Sequence, residues 1–287
     1  MPMIFCDKRD NTFEDFVCGK SIVHLQCILE DIRMIGLFDS GSGGMSVLRA
    51  LLKRKNEADV VYFGDIKHAP YGIRKPEELI ALASNGMKTL RTFGAQEIVS
   101  ACNSVAPAVL AHGADGAKVI EMTRPAARAM RQYAGGRVLL LATPATVNSR
   151  IYESAFGGMI ILHQHPIQDL AGAIEFGARP DKIREIVRTA LSERWGQSYD
   201  HVFLGCTHYP FARNIIEEES RALFGDVNII DPADAVAEET EKQFNTTGSG
   251  KIYFKMSQDS DYFRRRVEEL FPGHEDTIKV IPSYESL

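Results

Sequence analysis

The sequence predicts an α/β fold: two similar parallel-sheet domains with the active site in the cleft between them. Three observations carry that prediction. From Ile35 onward short apolar runs alternate with helical stretches, the pattern of parallel strands joined by crossover helices. Gly and Pro punctuate the joins, as at Gly135-Gly136 and Gly248-Ser249-Gly250, where turn residues are needed. The third is a repeat: Asp39 ends one apolar run and Cys102 ends another 63 residues later, while Thr143 and Cys206 stand in the same relation, again 63 residues apart.

In chain order, strands are expected at 35–38, 59–63, 97–101, 117–121, 137–142, 158–162, 201–205, 227–230, 251–255 and 277–281, each a short apolar run bounded by turn residues. Helices fill the intervals at 45–55, 75–93, 124–133, 145–155, 180–195, 210–222, 233–244 and 259–270. The expected division is a first domain of 34–124 plus 232–287 and a second of 125–231. Residues 1–33 read differently. Their one clear pattern is Ile22, Leu25, Ile28, Leu29 and Ile32, which would line one helix face. Met34 stands immediately before the first strand, so 1–33 is either upstream of the true start or a short extension on the domain surface.

Composition narrows the class. A chain of 287 residues, 45% hydrophobic and 25% charged, supports a buried core without cross-links. A net charge of −5 argues against a general nucleic-acid binder; Arg264, Arg265 and Arg266 read as the solvated face of a late helix. No apolar run approaches the roughly 18 residues that span a bilayer. Asp7, Lys8, Arg9, Asp10, Glu14 and Asp15 crowd the first twenty positions, with no apolar signal region. A cytoplasmic protein with reduced thiols is expected. Cys6, Cys18, Cys27, Cys102 and Cys206 fit no zinc spacing and no redox pair, so neither metal nor redox chemistry is expected of them.

Cys102 and Cys206 each follow an apolar strand and precede small polar residues and a probable helix. A helix dipole and nearby N–H groups would draw such thiols toward thiolate. Two thiols on opposite sides of one carbon can invert it, one removing a proton and the other returning one. Asp39-Ser-Gly-Ser-Gly-Gly44 is a glycine-rich strand-to-helix turn whose N–H groups are suited to a carboxylate. It lacks the Lys-Ser/Thr of a phosphate loop and the spacing of a dinucleotide fingerprint. Asp65 and Pro70-Tyr71-Gly72 fall in the loop after the second strand, and His208 lies beside Cys206-Thr207 where it can orient or protonate that thiol. Glu175, at the end of a helical stretch, reads from composition as a solvated surface acid.

At these residues the chain resembles the glutamate racemases of the aspartate/glutamate racemase superfamily. The resemblance covers Met34 to about Asp231 and is carried by Ile35-Gly-Leu-Phe-Asp-Ser-Gly-Ser-Gly-Gly44, Tyr62-Phe-Gly-Asp65 with Ala69-Pro-Tyr-Gly72, Ala101-Cys-Asn-Ser104 and Leu204-Gly-Cys-Thr-His-Tyr-Pro210. It implies interconversion of L- and D-glutamate without cofactor or metal, supplying D-glutamate for peptidoglycan, in a protein that commonly forms homodimers. Cys102 and Cys206 match the family's acid/base thiols, Asp39 the acid assisting the first, and His208 the histidine assisting the second. Asp65 and Glu175 match further acids near the site. Asp39, Ser40, Tyr71, Gly72, Asn103, Ser104, Thr143, Thr207 and His208 match positions that bind the substrate. Two departures stand out: Ser104 replaces the usual Thr, and His163-Gln-His-Pro-Ile-Gln-Asp-Leu-Ala-Gly172 replaces a Cys-Pro and apolar stretch. Both bear on the fine choice of substrate. Aspartate or another amino acid is the alternative substrate, and a single-cysteine hydrolase or lyase with His208 as base is the alternative reaction.

Overall fold

Strands β1 (Ile35–Asp39), β2 (Val60–Gly64), β3 (Glu97–Ser100) and β4 (Lys118–Glu121) are joined by β9 (Ile252–Met256) and β10 (Ile278–Val280) in one sheet. A second sheet holds β5 (Arg137–Ala142), β6 (Ile161–Pro166), β7 (His201–Gly205) and β8 (Asn228–Ile230). The structure is a computed structural model and describes residues 34–114 and 116–281. The expectations for 1–33, the helix face from Ile22 to Ile32 among them, lie outside the described residues.

All strand pairs within the two sheets are parallel. The orders are β10-β9-β2-β1-β3-β4 and β6-β5-β7-β8. Matching β1 to β5, β2 to β6, β3 to β7 and β4 to β8 gives the same order in both sheets, so the 63-residue repeat read from the sequence has a topological counterpart. In each, the chain reverses direction across the sheet between the first and third strands of the unit. The carboxyl ends of such a pair form the switch point where open α/β sheets bind ligands. Asp39 and Cys102 follow from β1 and β3; Thr143 and Cys206 follow from β5 and β7.

β1 and β2 are buried along their whole lengths, as continuous apolar runs covered on both faces should be. The helix Met45–Arg54 turns Met45, Val47, Leu48, Ala50 and Leu51 onto the sheet and ends on Lys53 and Arg54, whose charges suit the carbonyl end of the helix dipole. Each large apolar side chain buried this way contributes about 1.5–3 kcal/mol.

Two expected elements differ. The helix expected over 145–155 is divided into Pro144–Asn148 and Ile151–Phe156, because Arg150 takes a left-handed conformation with φ 54°. The strand expected at 158–162 begins at Ile161, after a turn in which Gly157 and Gly158 have φ of 56° and 76°. Its Leu-His-Gln-His-Pro continuation is polar because β6 is an edge strand, where exposed faces and a proline are tolerated. Arg266 is also corrected. It is buried, with its guanidinium carbon 3.9 Å from the Phe211 ring centroid, and does not share the solvated face expected for 264–266. Among the described residues, no helix is long and apolar enough to cross a membrane.

Candidate active site

The two switch points meet at one small cavity. Ser40, Pro70, Tyr71, Gly72, Cys102, Asn103, Ser104, Thr143, Ala171, Glu175, Cys206, Thr207 and His208 line a space of about 20 Å³. Every substrate-site residue expected from the sequence lines it except Asp39, which lies fully buried behind Thr207 and Gly41. Cys102 and Cys206 are free thiols, 4% and 6% exposed.

Each thiol has its own polar neighbour. Cys102 Sγ is 3.6 Å from Ser40 Oγ, and Cys206 Sγ is 3.9 Å from His208 Nδ1. Asp39 joins the two sides: its Oδ1 accepts the Gly41 N–H at 2.9 Å, and its Oδ2 accepts the Thr207 hydroxyl at 3.0 Å. The hydroxyls of Ser104 and Thr143 are 3.0 Å apart, and Thr143 caps the next helix by accepting from the Thr146 N–H. Asn103 Oδ1 accepts the Tyr152 hydroxyl at 2.5 Å. Asp65 does not reach the cavity. It holds the wall from outside, accepting from Tyr71 at 2.5 Å and from Ser257 at 2.6 Å, with His68 Nδ1 at 2.9 Å.

Glu175 overturns its reading as a solvated acid: it is 2% exposed. Its Oε2 accepts the Ser42 N–H at 2.9 Å and the Ser42 hydroxyl at 2.8 Å, and lies 2.5 Å from His208 Nε2. The glycine-rich turn therefore does cradle a carboxylate, but one of the protein's own. Glycine is required where it does so. A Cβ at Gly41 would lie 2.7 Å from the Glu175 carboxyl carbon, and one at Gly43 would lie 2.5 Å from His208 Nδ1.

The electrostatics are dominated by burial. It pushes the Cys102 thiol up to about 12, and the nearby Asp39 charge adds to the effect. The expected drift of Cys102 toward thiolate is thus reversed: Cys102 leads only into a 3-10 turn, Asn103–Val105, and the α-helix begins at Ala106. Burial likewise raises the Asp39 carboxyl above its ordinary range, against the pull of His208 and the Gly41 N–H. For His208 burial disfavours the cation, but hydrogen bonds with Cys206 and Glu175 outweigh it and hold the pKa well above the ordinary value. Glu175, whose burial acts in the opposite sense, is held below the usual carboxylate range by His208 and Ser42. Glu175 and His208 form an ion pair.

Two buried polar atoms at this cavity have no protein partner, Asn103 Nδ2 and Glu175 Oε1. One is a donor and the other an acceptor. No group of three or more His, Cys, Asp or Glu side chains among the described residues is arranged to hold a metal ion.

The sequence signature of the Asp/Glu/Hydantoin racemase family matches residues 40–240. The chain belongs to the Asp/Glu/hydantoin racemase family. It is 30% identical to glutamate racemase 2 of Caldanaerobacter subterraneus, over 88% of this chain and 98% of that protein. The glutamate racemase isoform RacE1 of Bacillus anthracis superposes with a TM-score of 0.76 at 27% identity, covering 87% of this chain and 97% of that one. The Francisella tularensis glutamate racemase in complex with D-glutamate gives 0.75 at 26% identity, covering 89% and 99%. These racemase-family matches make the chain an isomerase, built on the two-sheet architecture of its relatives.

Ser42, Ser46, Tyr152, Ala171 and Ser257 were not singled out by sequence reasoning. Ser42 and Ser46 sit in or beside the glycine-rich turn, which was the available signal; Ser46 Oγ donates to the Thr207 carbonyl at 3.2 Å. Ser257 arrives from 192 residues beyond Asp65, and nothing local marks it.

Proposed function

We propose that this racemase interconverts L- and D-glutamate by 1,1-proton transfer, with Cys102 and Cys206 as its two acid/base groups. The observation that carries the reading is the pair of buried free thiols lining one cavity, each with its own polar neighbour. One thiolate takes the α-proton, breaking the Cα–H bond and leaving the electron pair on the carbon. The opposite thiol gives its proton to the other face of that carbon and becomes the thiolate. The net result is inversion with the two cysteines exchanged, and no added cofactor enters the balance.

A thiol held near 12 needs help to ionise. The substrate ammonium supplies it by bringing a positive charge beside Cys102 and Asp39, and Asp39 assists at this thiol as His208 does at Cys206. Ser40, Tyr71, Gly72, Asn103, Ser104, Thr143 and Thr207 hold the carboxylates and ammonium. The unpartnered Asn103 Nδ2 and Glu175 Oε1 suit a ligand that carries both an acceptor and a donor. The wider reading is a cytoplasmic homodimer that supplies D-glutamate for peptidoglycan.

The test is circular dichroism of the protein with L-glutamate and separately with D-glutamate, with no cofactor added. Optical activity should decay to zero from both sides, and Cys102→Ser or Cys206→Ser should nearly abolish the decay. Full activity in either variant would eliminate the two-thiol mechanism, and faster decay with aspartate would reassign the substrate.

A further inference from the structure

The Tyr152 hydroxyl is one of the bonds that cross between the two sheets, and it ends on a residue of the cavity. Tyr152 lies in the short helix Ile151–Phe156, packed on the second sheet, and Asn103 follows β3 of the first. The ring is fully buried and held by Phe156 and Phe203, with centroids 5.5 and 5.2 Å away. Its hydroxyl is therefore placed by packing. It donates to Asn103 Oδ1 at 2.5 Å, while Asn103 Nδ2, also buried, has no partner.

A side-chain amide has one acceptor end and one donor end, and a half-turn about its last bond exchanges them. In the observed arrangement the Tyr152 proton has an acceptor. Were the amide reversed, Nδ2 would donate to the phenol oxygen and the buried Tyr152 O–H would lose the acceptor it has. A buried donor without a partner costs about 1–3 kcal/mol. Burial also keeps the phenol protonated, its pKa lying well above the ordinary value.

We propose that Tyr152 is a positioning residue that locks the Asn103 amide with its Nδ2 donor presented to the ligand, so that this part of the cavity accepts a carboxylate oxygen and rejects an amide N–H. The inference rests on the reading of the cavity as an amino-acid site, and deepens it by assigning part of the selectivity for an acid over its amide to a residue outside the cavity wall. A site built to donate discriminates strongly against a ligand that brings another donor, because one of the two must then go unpaired.

The experiment measures binding of D-glutamate, its α-amide and its γ-amide by titration calorimetry, alongside racemisation of glutamate. Tyr152→Phe keeps the ring and removes only the hydroxyl. Affinity for glutamate should fall about tenfold, the value of one orienting hydrogen bond, and the preference for glutamate over one of the two amides should narrow. Both changes should vanish when Tyr152→Phe is made in an Asn103→Ala background. Asn103→Asp offers a check that leaves Tyr152 intact: it puts an oxygen where the donor stood, and should reverse the acid-over-amide preference. Unchanged affinity and preference in Tyr152→Phe, or a full effect persisting without Asn103, would overturn the assignment. Wild-type protein that binds glutamate without racemising it would overturn the proposed activity alone. Failure to bind glutamate at all would remove both.

Discussion

Replacing Glu175 by glutamine is the sharpest probe of the ion pair behind Cys206. The side chains are nearly isosteric, so the amide oxygen can still accept from Ser42 N–H and Oγ–H at the 2.9 and 2.8 Å positions. What disappears is the charge opposite His208. Hydrogen bonds to a charged group are worth about 1.5–3 kcal/mol and neutral ones about 0.5–1.5. Three bonds converge on Glu175 Oε2, each losing about 1–1.5 kcal/mol, so the loss comes to about 3–4.5 kcal/mol. It stays at or below the ~3–5 kcal/mol of a broken buried pair, because His208 can shed its proton. For a domain of this size each kcal/mol lowers Tm by about 2–4 °C, predicting a fall of about 6–18 °C.

The sign of the pH dependence follows from the two shifts. His208 is raised above 6.5, so its contribution is complete below that value and is lost as pH rises through the folded pKa. Glu175 is lowered below 4.5, so its contribution is present above that value and is lost as pH falls through the folded pKa. The Tm difference between wild type and Glu175→Gln should be fully present between those limits and shrink toward alkaline pH. With His208 returned toward its ordinary range, the ratio of variant to wild-type kcat/KM should decline as pH rises from about 6 to 8, reaching a deficit of about 30-fold, since an imidazole near 6.5 is only about 3% protonated at pH 8. Differential scanning calorimetry and a pH–rate profile read both effects. Identical melting curves and parallel pH profiles would refute the argument that Glu175 holds His208 in its cationic form.

Two further predictions follow from the same geometry. At pH 8 a thiol with a pKa of about 12 is only about 10⁻⁴ ionised, against roughly a quarter for a free cysteine near 8.5, so iodoacetamide should modify Cys102 about 10³-fold more slowly than a peptide thiol. Mass spectrometry of the digested protein measures this, and equal rates would contradict the buried, neutral thiol. Gly43→Ala would bring a methyl 2.5 Å from His208 Nδ1; displacing that ring by about an ångström should lower kcat/KM about 10²-fold, and near-normal turnover would show that the ring is not held where the structure has it.

The parts legible in the sequence share one property: their meaning is local. Cys102 and Cys206 end apolar strands and stand beside small polar residues, and the turn from Asp39 to Gly44 is dense in glycine. Such signals survive without knowledge of the fold. Glu175 reads as a surface acid from composition, and only the family resemblance puts it near the site, because the group that fixes its role, Ser42, is 133 residues away. A trace was present all the same. Leu170, Ala171, Ile174 and Glu175 are all buried in the helix Leu170–Glu175, so the acid lies on the apolar face, where a carboxylate demands a partner. The left-handed Arg150 had no such trace. It is neither glycine nor asparagine, the residues that ordinarily mark a left-handed position in a sequence. The Cys102 environment was misjudged for a related reason: a helix dipole can be inferred from order along the chain, whereas desolvation depends on everything folded over the thiol.

The same closure sets a condition on turnover. A cavity of about 20 Å³ holds roughly one water, so the proposed substrate enters only if this space widens. Bonds from Ser42 to Glu175, Thr207 to Asp39, Ser104 to Thr143 and Tyr152 to Asn103 cross between the two switch points, each worth on the order of 1 kcal/mol net and more where charge is involved. Widening it by parting these bonds would cost several kcal/mol, which the proposed ligand must return. A molecule with one ammonium and two carboxylates can return it by engaging the donors and acceptors of both halves at once. A smaller or less charged molecule engages fewer of them and returns less of that cost. Selectivity in this arrangement is exerted through that cost as well as through contact.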